Sequence, residues 1–318
     1  MADSNWGGNE SGWERKVLEK VALEGINEQR RTRRWGIFFK LLAFTYLFIV
    51  LAVALEWGVG DKHGEGKTHT ALINLVGVIQ AKGDANAEDI NSALQAAFDD
   101  KGTAGVVMRI NSPGGSPVQA GMINDEIRRL RAKHADIPFY VVVEDVCASG
   151  GYYVAAAADK IYVDKASIVG SIGVLMDGFG FTGSMEKLGV ERRLLTAGEN
   201  KGFLDPFSPQ NDKHKEFAKT MLGEIHQQFI DVVKKGRGQR LKETPEMFTG
   251  LMWSGAKSIE LGLTDAYGSV ESIARDVIKA EEIRDYTVKQ NFAEKFAKQL
   301  GASMGGGVAN ALTGMRLQ

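Results

Sequence analysis

Gly36 to Leu55, GIFFKLLAFTYLFIVLAVAL, is a run of twenty residues with one charge, Lys40. As a helix such a run is about 30 Å long, roughly one hydrocarbon core. Lys40 lies one turn inside it and can snorkel outward. Trp35 and Trp57 bracket the run as interfacial anchors; Arg30, Arg31, Arg33 and Arg34 precede it, and Glu56 and Asp61 follow. This charge bias predicts a cytoplasmic segment over 1–35, a transmembrane signal anchor over 36–57, and all later residues on the extracytoplasmic side of a cytoplasmic (inner) membrane. A buried core helix fits poorly with four flanking arginines. A cleaved secretory signal is the other alternative, because AVA at 52–54 resembles a cleavage site. Thirty-five residues make a long n-region, however, so an uncleaved anchor is expected. Residues 58–70 read as a linker, 71–280 as the folded domain, and 281–318 as an extension with a flexible glycine-rich end.

The net charge of −1 provides no basic field for nucleic acid. Cys147, the single cysteine, excludes an intrachain disulfide and any multi-cysteine metal site. No metal or cofactor is expected.

From Ala71 the chain alternates two periodicities. ALINLVGVI, GVVMRI, PFYVVVEDV, KIYVD, SIVGSIGVL and ERRLLT read as strands. NAEDINSALQAAFDD reads as a helix with apolar residues at steps of four, and PVQAGMINDEIRRLRAKH as a second with Pro117 in its first turn. Further helices are expected after PFYVVVEDV, near TGSMEKLG, from Asp212 to about Lys235, and around 270–280. The rhythm predicts an α/β domain with mainly parallel strands and a site beyond their carboxyl ends.

Two turns fall at such ends, NSPGGSP (111–117) and CASGG (147–151). Ser149 lies where a strand stops and a helix of small residues starts. Outward-pointing amides there suit either a reacting hydroxyl or an ordinary N-cap. Gly114 and Gly115 let backbone approach a ligand, and an amide from that turn together with the Gly150 amide makes a two-donor oxyanion hole. A serine nucleophile needs a base. Of the five histidines, His63 and His69 fall in the linker, His134 ends a helix, and His214 and His226 lie on a long polar-faced helix. None stands in an apolar turn beside a carboxylate. Lys201, in TAGENKGFLDPFSP, is the lysine alternative, provided apolar neighbours keep its amine uncharged. Cys147, two residues before Ser149, is a second possible nucleophile or a buried structural cysteine.

NSPGGSP, DVCASGGYYVAAAADKIYVDKASIVGSIGV and TAGENKGFLDPFSP, in this order and with Ser149 and Lys201 fifty-two residues apart, resemble the signal peptide peptidase A family of bacterial serine peptidases, in its short form. The similarity covers about 71–280. It implies a crotonase/ClpP-like α/β fold, Ser149 as nucleophile, Lys201 as general base, and Ser171 hydrogen-bonded near the lysine. Gly114 and Gly150 are the implied oxyanion donors, with Gly115 as the alternative to Gly114. It further implies a homo-oligomer whose serine and lysine can come from neighbouring subunits, and substrates that are remnant signal peptides. Three other readings remain: a membrane peptidase acting on other membrane proteins, a crotonase-type acyl-CoA enzyme, and a non-catalytic scaffold.

Overall fold

The computed structural model describes residues 11–54 and 67–288. They form two separate units. The first is one helix, α1 (Ser11–Ala54), 44 residues long. Within it Arg15–Leu51 is long and apolar enough to cross a membrane. Trp57, the linker over 58–66 and the extension beyond 288 lie outside the described residues.

The second unit is the α/β domain. Its first half runs β1 (His69–Val76), α2 (Ala87–Asp99), β2 (Thr103–Ser112), α3 (Pro117–Lys133), β3 (Phe139–Ala148), α4 (Gly150–Ala155) and β4 (Lys160–Val163). Then follow β5 (Ile168–Gly170), α5 (Thr182–Lys187), α6 (Asp212–Arg237), β6 (Met252–Ser254) and α7 (Gly255–Glu260). β7 (Ala266–Tyr267), α8 (Val270–Ser272) and β8 (Ile283–Asp285) complete it. The helices start where their caps dictate. The Asn86 side chain accepts the Asp89 N–H at 2.8 Å at the head of α2, and Ser116 caps α3 ahead of Pro117.

The sheet order is β6-β5-β3-β2-β1-β8, with β4 pairing β3 and β7. Every pairing is parallel except β5 with β6. β3 changes partner along its length: Tyr140–Val142 pair with β4, whereas Val146–Ala148 pair with β5. The sheet therefore forks towards the carboxyl end of β3, and the fork opens a crevice there. Side chains alternate across the sheet. Val106, Met108 and Ile110 of β2 face the main core with α2 and α3, whereas Val107 joins a second cluster with Leu72, Val142, Tyr162, Val270 and Ile273.

Two boundaries and one strand differ from the sequence reading. His69 and Thr70, assigned to the linker, are fully buried in β1. Their neighbour β8 lies beyond 280, so the domain reaches past its expected end; the parallel pairing of Thr70 with Ile283 draws that segment in. ERRLLT (191–196) is not a strand: no residue from 173 to 217 is buried, and no sheet neighbour stands beside it among the described residues. A strand without a partner and an apolar face to cover has nothing to hold it.

Candidate active site

Ser149 is the one residue between β3 and α4. Its φ of 52° and ψ of −123° lie where non-glycine residues rarely sit. A backbone held there costs about 1–3 kcal/mol, which surrounding bonds must offset. The Ser149 N–H donates to the Gly170 carbonyl at 2.8 Å, and the Ser149 carbonyl accepts the Tyr153 N–H at 3.0 Å. The hydroxyl makes no capping hydrogen bond. The N-cap alternative therefore fails, and Ser149 lines a cleft of about 560 Å³.

The cleft is lined by Gly115, Ser149, Gly150, Tyr153 and Ser171, with Ile225, Gln228 and Phe229 from α6 and Gly250 opposite. The small residues are needed for close backbone packing. A Cβ on Gly114, which has φ +97°, would lie 2.6 Å from the Gly150 nitrogen and 2.7 Å from the Ser149 Cβ. One on Gly115 would lie 2.2 Å from the Ile79 carbonyl oxygen. The turn after β2 thus lies directly against the turn after β3.

The two glycines of that turn differ in what their amides do. The Gly114 N–H donates to Ser112 Oγ at 3.1 Å, and Ser112 Oγ donates to the Gly77 carbonyl at 2.7 Å. The Gly114 amide, expected as an oxyanion donor, is already engaged inside the loop. Gly115 carries the amide beside Gly150: its nitrogen is 3.3 Å from the place a Gly150 Cβ would occupy. Gly115 and Gly150 both line the cleft, whereas Gly114 is not among its lining residues. Ser112 was missed by sequence reasoning, although it adjoins the glycines in NSPGGSP.

Ser171 shares the cleft with Ser149 and has the same φ of 52°. Its N–H donates to the Leu251 carbonyl at 2.8 Å. Cys147 is fully buried in β3, and burial pushes its thiol above the ordinary range. That removes it as an alternative nucleophile.

Lys201 is not brought to this cleft by a single chain. It is exposed, in a turn whose amide bonds Gly198. Of its apolar neighbours in sequence, Phe203 and Phe207 pack on other rings, and Leu204 is exposed. Phe203 packs on His214 and Phe217, and Phe207 stacks on Phe181 beneath Arg192. Large apolar side chains of the same stretch stand in the open: Leu175 and Phe179 are 80% exposed and Leu195 96%.

Among the described histidines, none lines the cleft. His69 is buried against Tyr286, and His134 lies beside Asp99. His214 bonds Asn200, and His226 bonds the Ile172 carbonyl. A larger cavity, about 810 Å³, opens on the sheet face of the second cluster and contains none of the expected site residues; its Arg109 and Glu144 pair with each other at 3.4 Å.

Residues 131–284 match the family model described as Peptidase family S49. The chain is 33% identical over 224 residues to a putative protease of Methanocaldococcus jannaschii, covering 68% of this chain and 70% of that one. It is 30% identical over 234 residues to a putative signal peptide peptidase SppA of Enterococcus faecium, covering 70% and 67%. It is also 44% identical over 214 residues to a Brucella melitensis protein described as a Na(+)/H(+) antiporter NhaA. That match takes in 66% of this chain and only 29% of the Brucella chain, so this protein spans under a third of that relative's length. The α/β architecture, the turn motifs and these matches agree: the chain belongs to peptidase family S49, with its crotonase/ClpP-like fold.

Proposed function

We propose that the protein is a membrane-anchored serine endopeptidase that cleaves remnant signal peptides with Ser149 and Lys201. One observation carries the reading: an uncapped serine at a strained strand–helix junction lines a cleft together with Gly115 and Gly150, whose main-chain N–H groups are the proposed oxyanion donors. Ser149 Oγ attacks the scissile carbonyl carbon while its proton passes to the neutral Lys201 amine. The oxygen that becomes negative is met by the two main-chain N–H groups, which need no reorganisation. The protonated amine then gives its proton to the leaving peptide nitrogen, and water hydrolyses the acyl-enzyme by the same route.

The lysine comes from a neighbouring copy in a homo-oligomer. Residues 173–217 carry Lys201 and expose apolar side chains that a monomer does not normally leave in water. Covering them against a second copy buries that surface, and it also removes the water that keeps an amine charged. Ser171, in the same cleft as Ser149, orients the arriving amine. The α1 anchor holds the domain on the extracytoplasmic side of the bacterial inner membrane, where released signal peptides lie in the bilayer.

The test is subunit mixing. Ser149→Ala and Lys201→Ala should each abolish cleavage of a signal-peptide substrate by the full-length protein in detergent. Co-assembled from unfolded chains, the two variants should regain part of the wild-type rate, because some neighbours then pair an intact serine with an intact lysine. Recovery absent in verified mixed oligomers rejects the shared site, and full activity in Lys201→Ala rejects the dyad.

A further inference from the structure

Residues 170–172, the last residue of β5 and the two that follow it, each bond a different element. The Gly170 carbonyl accepts the Ser149 N–H at 2.8 Å. The Ser171 N–H donates to the Leu251 carbonyl at 2.8 Å, just before β6. The Ile172 carbonyl accepts from His226 Nε2 on α6 at 3.1 Å. The first two bonds are backbone to backbone. The third alone depends on a side chain, and it spans 54 residues of sequence.

α6 is the wall of the cleft on that side, through Ile225, Gln228 and Phe229. Its buried residues near the site begin at Phe229, and from 219 to 228 none is buried. His226 therefore ties the cleft-facing part of α6 to the segment after β5 that carries Ser171 and, through Gly170, bonds the Ser149 turn, along a stretch of α6 without buried residues. Ile172 is itself fully buried, so its carbonyl has a defined direction.

We propose that His226 is a positioning residue: its Nε2–H holds the Ile172 carbonyl and thereby sets Ser171 and, through Gly170, the Ser149 turn relative to the α6 wall. A carbonyl can only accept, so Nε2 carries the hydrogen. The neutral Nε2–H tautomer and the imidazolium both donate there. The tie survives protonation of Nδ1, and His226 is not the general base. The imidazole bonds the Ile172 carbonyl, and its helix neighbour Gln227 is turned to Asp231.

This inference rests on Ser149 being the nucleophile, and the experiment separates the two. Full-length His226→Phe and His226→Gln are measured for peptide turnover, for the rate at which a fluorophosphonate probe labels Ser149, and for thermal unfolding. His226→Phe should lose about tenfold to a hundredfold in kcat and in labelling rate, the scale on which small displacements of reacting groups act. Its KM should stay within about twofold, because the apolar wall remains. His226→Gln keeps a side-chain N–H and should recover most of both rates. The pH–rate profile of His226→Phe should keep the wild-type shape. Wild-type kcat in His226→Phe overturns the proposal, as does a glutamine variant no better than phenylalanine. So does loss of one limb of the pH profile, which would make the imidazole a base. Should Ser149→Ala still cleave, or the probe label another residue, the site reading itself fails, whatever the His226 variants do.

Discussion

The Ser149 N–H and the Gly170 carbonyl meet at 2.8 Å, so the proposed nucleophile depends on the residue that precedes Ser171. Gly170 has φ +118°, and a Cβ there would lie 2.8 Å from the Trp253 ring and 2.9 Å from the Leu251 carbonyl oxygen. Gly170→Ala should therefore move this strand. We expect a stability loss of about 1–3 kcal/mol from the left-handed backbone, with a larger relative fall in activity. Denaturant unfolding and steady-state cleavage measured on one preparation check this; an alanine variant with unchanged kcat would show that the Ser149–Gly170 bond does not position the hydroxyl.

Ser112→Ala separates the two candidate oxyanion donors. The substitution orphans the buried Gly114 N–H and the Gly77 carbonyl, for about 1–3 kcal/mol of stability. Were Gly114 the working donor, releasing its amide from Ser112 would preserve or raise kcat. Because Gly115 borders the cleft, we expect kcat to fall as the loop loosens. Kinetics at a temperature well below the variant's own unfolding midpoint distinguish the two.

Cys147 should be inert in the native state. It is fully buried and burial raises its thiol pKa, so the thiolate is scarce and reagents have no access. A thiol reagent should react only at the rate of unfolding, and Cys147→Ala should retain cleavage. Rapid stoichiometric labelling of active protein would contradict the buried placement.

Acid sensitivity has an identifiable source in Asp100. The Tyr286 hydroxyl donates to its carboxylate at 2.5 Å, and that bond, then the Gly102 N–H, holds its pKa below the ordinary value. A depressed carboxyl pKa gives stability that is present above the unfolded value of about 3.9 and lost as pH falls through the folded one. Tyr286→Phe removes the larger cause, so the folded pKa moves back towards the unfolded one. The variant should be less stable than wild type at neutral pH, and the difference should shrink as pH falls below about 4. A difference that is constant from pH 7 to 2.5 in urea titrations would assign the loss to packing instead.

Much of the fold was legible because its signals are local. The steps of four at Ile90, Leu94 and Phe98 gave α2, Pro117 gave the start of α3, and unbroken apolar runs gave β1, β2 and β3. The short elements β6, β7 and β8 carry no such pattern. Each is two or three residues long, and each is a strand only because a neighbour supplies hydrogen bonds. ERRLLT shows the converse, with strand-like residues and no neighbour.

The sequence by itself determined the anchor-like apolar run, the parallel α/β class and the two glycine turns that flank Ser149, since periodicity, charge bias and turn chemistry act between residues close along the chain. Tertiary structure alone decided that Ser112 occupies the Gly114 amide, that β3 forks between β4 and β5, and that His226 reaches Ile172. It also left Lys201 outside the cleft of its own chain. Those outcomes depend on which backbone groups meet across tens of residues, and hydrogen bonds between distant segments leave no periodic mark on the residues that form them.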